Sequence, residues 1–168
     1  STSDSQTATS SNLIEGCDWC NQEYMSVTLG TGYLDSVDWM ASIRDQGSAD
    51  CGTYAWVELR HESILDGSYT VLGAGAHPPC DGSDRFQYTQ QYRSWTEGPV
   101  YTQSGDRLIL AARSTYPAWE IYVNYGEITY YTTTEGQSSS VRRVSHTGYS
   151  DFVGTSDAAL ASVLAAPS

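Results

Sequence analysis

Two glutamates are the residues of this chain whose setting best suits them to chemistry. Glu58 and Glu120 each lie inside an alternating run beside aromatic residues. A carboxylate pair flanking a glycosidic bond can hydrolyse it, at separations of about 5 Å or roughly 6.5–9.5 Å. The simpler reading makes both of them strand-face residues, paired with Arg60 or Arg113 across a sheet. The three histidines, His61, His77 and His146, sit on separate segments. His61-Glu62 begins an HExxH pattern, but Leu65 stands where the second histidine belongs. No G-x-S-x-G elbow and no G-x-G-x-x-G loop occurs. Asp81-Gly82-Ser83-Asp84 lacks the spacing of a calcium loop and reads as a turn. No metal site and no cofactor is implied, and no catalytic motif survives inspection.

Aromatic residues on faces that alternation predicts to be polar carry more information. Tyr54 and Trp56 share a face with Glu58 and Arg60, and Tyr122 shares one with Glu120 and Asn124. Trp95 follows Arg93 on the face opposite Tyr88 and Tyr92. Flat rings beside Asn, Glu and Arg can stack on sugars and hydrogen-bond their hydroxyls. The same residue types are enriched at protein interfaces. Burial of both strand faces would explain them equally well. The expected binding set is Tyr54, Trp56, Arg60, Trp95, Tyr122 and Asn124.

Composition removes whole classes of function. All 8 basic residues are arginine, so no lysine is present to hold a phosphate or form a Schiff base. The net charge of −12 leaves no clustered cations for a nucleic-acid partner. No apolar run is long enough for a membrane span. The sequence opens at Ser1 with no basic, apolar stretch, and the expectation is a processed mature product. Cys17, Cys20, Cys51 and Cys80 read as two disulfides of unknown connectivity. A zinc site is the rival, but only Cys17 and Cys20 form a closely spaced pair. The expected location is extracellular or at a cell surface.

The elements that must position these residues are strands. Period-two alternation runs through residues 24–29, 53–61, 86–93, 107–113 and 119–125, with weaker stretches at 69–74 and 141–147. Asn124-Tyr125-Gly126-Glu127 reads as a hairpin turn, with 128–134 returning. Asp35 to Ile43 is an ambiguous short helix. Ser156 to Ala166 reads as a helix, capped by Ser156 and striped with Leu160, Val163 and Leu164. Residues 1–11 are almost wholly polar and form an arm that must dock on its own sheet or on a neighbouring subunit.

The expected fold is an all-β, jelly-roll-like sandwich of about eight short antiparallel strands, with a polar N-terminal arm and a short C-terminal helix. The arm would span 1–11, the sandwich 12–155, and the helix and tail 156–168. The expected function is a non-catalytic structural subunit of an extracellular assembly, a filament or layer, self-associating through its arm and aromatic strand faces. A secreted carbohydrate-binding module is the second reading, and a secreted hydrolase using paired carboxylates the third.

Overall fold

The computed structural model describes residues 21–45, 54–80, 82–115 and 120–147, together with the strands Gln6–Ala8 and Leu160–Pro167. They form an all-β sandwich of two antiparallel sheets. One sheet holds β1 (Gln6–Ala8), β2 (Asn21–Thr28), β8 (Arg107–Ser114), β4 (Ala55–Glu62) and β5 (Tyr69–Val71), in that spatial order. The other runs β11 (Leu160–Pro167), β10 (Ser138–Thr147), β9 (Ile121–Thr133), β3 (Gly32–Asp45) and β6 (Thr89–Trp95). A short β7 (Val100–Thr102) also pairs with β3.

Alternation supplies the core. Val57 and Leu59 of β4 and Leu108, Leu110 and Ala112 of β8 meet Val37, Trp39, Ala41 and Ile43 of β3 and Val123, Ile128 and Tyr130 of β9. Each fully buried aliphatic chain contributes about 1.5–3 kcal/mol of transfer free energy.

Period two fails at β-bulges, where one extra residue faces a single partner. On β2, Glu23 pairs with Ala111 and Met25 with Leu110, so Tyr24 is the extra residue. Strict alternation turns Tyr24 outward with Ser26, yet the bulge turns both Tyr24 and Met25 inward, and both are fully buried. Gly126 of β9 makes room for them from the opposite sheet. A Cβ there would sit 2.9 Å from Met25 Sδ and 3.2 Å from Leu110 Cδ1. Glycine in a strand where another layer approaches closely is thus a packing requirement.

Four sequence expectations are corrected. Residues 124–127 form no hairpin, because β9 runs on from Ile121 to Thr133. Gly126 answers to packing rather than turning, and the chain reverses instead at 134–137. Asp35 to Ile43 lies within the strand β3, which β9 and β6 flank on either side. Leu160–Pro167 is β11, not a helix. Its apolar stripe is only about three turns long, marginal for an isolated helix, while the edge of β10 offers a full ladder. Lastly, the arm does not reach for a neighbour at Gln6–Ala8: these residues pair with Val27, Ser26 and Met25 of the chain's own β2.

Candidate functional site

The residues expected to bind or catalyse do not converge. Val57 and Leu59 point into the core, so Trp56, Glu58 and Arg60 occupy the outer face of the five-stranded sheet. There they form a closed network. Glu58 Oε2 accepts from Arg60 Nε at 2.7 Å, and Glu58 Oε1 accepts from Trp56 Nε1 at 2.7 Å. Arg60 also donates to Asn21 Oδ1 and lies 4.2 Å from the centre of the Tyr69 ring. Both ionic side chains are buried, at 7% and 6% exposure. A carboxylate spent on two donors and shut from solvent is a structural element, not an accessible acid.

Glu120 adjoins β9 of the other sheet, where it accepts from Tyr122 Oη at 3.2 Å. The two candidate carboxylates therefore belong to different sheets of the sandwich, each with its own partners. Trp95 is 5% exposed and part of the core, which corrects its place in the binding set. The same shift of face turns Tyr92, at 63% exposure, to solvent. Tyr122 lies beneath the Arg44 guanidinium, 4.2 Å from its ring centre. Asn124 is the extra residue of a bulge on β9, since Ser42 pairs with Tyr125 and Ile43 with Val123. Tyr54 is exposed, on the five-stranded side next to β4. Of the four cysteines, Cys17, Cys20 and Cys51 lie outside the described residues; Cys80 is disulfide-bonded.

The outer face of the six-stranded sheet is the open one. Register sets its side chains in rows. Tyr92 of β6, Met40 of β3 and Glu127 of β9 form one row; Ser94, Asp38, Thr129 and Arg143 of β10 form the next. Tyr131 stands beyond them. Together they line an open depression of about 480 Å³. Sequence reasoning missed these residues because it placed Asp38 in a tentative helix and broke β9 at residue 124.

The polar groups of this face are held in place. Asp38 accepts from Ser94 Oγ at 2.7 Å and from Tyr131 Oη at 3.4 Å. Glu127 accepts from Tyr125 Oη at 2.6 Å and from Arg143 Nη2 at 3.4 Å. Tyr92 Oη donates to Gln90 Oε1 at 2.9 Å. Tyr92 is thus tethered to a neighbour on its own face while remaining exposed. Burial, and then Asp38, push the Tyr131 phenol above its usual value. Burial and the Glu127 bond do the same to Tyr125. Both therefore stay neutral donors at physiological pH. No cluster of metal-binding side chains is present among the described residues, and no helix there is long and apolar enough to cross a membrane.

Comparison with known proteins found no matching family model, no matching curated protein and no matching solved structure.

Proposed function

We propose that this is a secreted carbohydrate-binding protein whose ligand lies on the outer face of the six-stranded sheet. One observation carries the reading: Tyr92 and Tyr131, tethered by their hydroxyls, flank a depression that also holds the fixed acceptors Asp38 and Glu127 and the donor Arg143. Aromatic rings lining an open depression offer apolar surface to a sugar, and immobilised carboxylates accept from sugar hydroxyls without further ordering cost. The two carboxylates and the net charge of −12 disfavour an anionic ligand. The mixture of hydroxyls and charge disfavours an apolar one. The extracellular setting is part of the same proposal. It is supported by the bridged Cys80 and by an even cysteine count, for which we propose two disulfides.

The test is a glycan array with pull-down on insoluble polysaccharides. Tyr92→Ala and Asp38→Ala are expected to weaken binding by about tenfold or more, with circular dichroism unchanged. Tyr54→Ala, on the five-stranded side, is expected to bind as the parent does. Failure of the protein to bind any glycan, or parental affinity in Tyr92→Ala, removes the reading.

A structural subunit of an extracellular assembly is the second reading. The pairing of Gln6–Ala8 within the chain withdraws the arm as its support. A different observation favours it: β5 ends its sheet, and Tyr69, Thr70 and Val71 are all exposed. An uncovered strand edge invites pairing with another chain. Light scattering should then show oligomers that Val71→Lys disperses. A monomer at all concentrations rules this reading out.

A further inference from the structure

The open face continues past the depression. Two residues beyond Tyr131, Thr133 lines a second hollow together with Tyr33, Thr134, Glu135, Gln137 and Ser139. Tyr33 and Tyr101 are both exposed and meet edge to face, ring centres 5.7 Å apart. Tyr33 pairs with Thr133 and with Tyr101, and its neighbours Gly32 and Leu34 are buried, so it belongs to the same outer face as Asp38 and Glu127. Thr133 Oγ1 donates to Asp35 Oδ2 at 2.6 Å, which fixes the hydroxyl between the two hollows. From Glu127 to Thr133 the strand covers roughly 20 Å at its usual rise per residue.

We infer that the ligand is a neutral polysaccharide bound along the strands through the interior of its chain, with Tyr33 and Tyr101 forming a second subsite beyond the Tyr92–Tyr131 depression. The inference rests on the sugar-binding reading and extends it. A site built for a chain end is closed around it, whereas this face carries two open hollows in line along β9, one lined by Tyr131 and the other, two residues on, by Thr133. The lining recurs in type: a tyrosine platform, a carboxylate (Glu127, then Glu135) and hydroxyls (Thr129, then Thr133 and Thr134). Repetition of the same chemistry along one direction fits a ligand that repeats. The net charge of −12 and the carboxylates in both hollows disfavour a nucleic acid or another polyanion as occupant.

The experiment is calorimetric titration of the whole protein with cello-, xylo-, manno- and chito-oligosaccharides, each from the monosaccharide upward. Affinity for the recognised series should rise by about tenfold or more with length. Tyr33→Ala should lose that gain while leaving affinity for the shortest bound member unchanged, and Tyr33→Phe should keep it. Equal affinity for short and long members overturns the inference and leaves the binding reading standing. So does a Tyr33→Ala variant that retains the full gain or loses affinity equally at every length. No heat with any series removes both.

Discussion

Glu58 and Arg60, two positions apart on β4, bind each other at 2.7 Å in a place where both are buried. One of the two glutamates that looked chemical in the sequence is thus held by an arginine of its own strand. Coulombic attraction in such a place is offset by desolvation, so removing one member costs more than replacing both. Arg60→Ala should destabilise the fold by about 3–5 kcal/mol by leaving the Glu58 charge uncompensated. The joint replacement Glu58→Leu with Arg60→Met should recover much of that loss. A urea-denaturation cycle measures it, and additive losses would show that the pair is not coupled.

Gly126 faces Tyr24, Met25 and Leu110 from the opposing sheet. Gly126→Ala should destabilise by about 1–3 kcal/mol, with yielding of the Met25 side chain keeping it near the lower figure. Gly126→Val should cost more, because its branches cannot avoid Leu110. Thermal melts of the two variants settle the order, and an alanine variant as stable as the parent would contradict the packing argument.

Asp106 anchors the turn after β7. Burial raises its carboxyl, but donation from Ile64 N at 2.9 Å, from His61 at 2.8 Å and from Gln103 N at 3.1 Å outweighs this and holds it below 3.8. A carboxyl lowered by folding contributes stability that is present above its unfolded value and lost as pH falls through its folded one. Asp106→Asn should therefore destabilise at pH 7, by about 1–3 kcal/mol for the donors it leaves poorly paired. The deficit should shrink below pH 3.8. A deficit constant with pH would mean that the carboxylate charge plays no part.

His146 is fully buried, its ring 5.0 Å from that of Tyr24, and burial lowers its pKa from 6.5. The unfolded chain then takes up the proton more readily, so stability rises with pH across this window. The contribution is complete above about 6.5 and declines as pH falls below it. Melting temperatures from pH 8 to 5 should fall, and His146→Phe should flatten that decline whatever its effect at pH 8. An unchanged slope in the variant would assign the loss to other groups.

Cys80 is bridged. Cys80→Ser should cost about 2–5 kcal/mol, and the parent treated with reductant, which opens every bridge, should lose more. Mass spectrometry of the non-reduced chain should show two hydrogens fewer for each bridge. A chain with two bridges and no bound zinc would match the proposed pairing; free thiols would refute it.

The fold was readable wherever one face of a strand is buried and the other wet. Ile121 and Val123 are buried while Tyr122 between them is partly exposed, and β9 begins there. Reading failed where bulges break the period. Tyr24 was misplaced because the extra residue on β2 is invisible to a count of two. Asn124-Tyr125-Gly126 was taken for a turn because its composition suits one, and nothing local reveals that Met25 needs the space over Gly126. That single misreading hid the outer face of β9, and with it Glu127, Thr129 and Tyr131. The helix expected at Leu160 failed for the opposite reason: local propensity was sound, and long-range pairing with β10 overrode it.

The first and last strands in the sequence each occupy the outermost place in a different sheet. Gln6–Ala8 screens β2, and Leu160–Pro167 screens β10. Proteolytic trimming is consequently a change in which strand each sheet turns to the outside. A protein clipped at either end would bare a row of unsatisfied amides and carbonyls on β2 or β10, so its shelf life in solution would be governed by how fast such clipped molecules find one another.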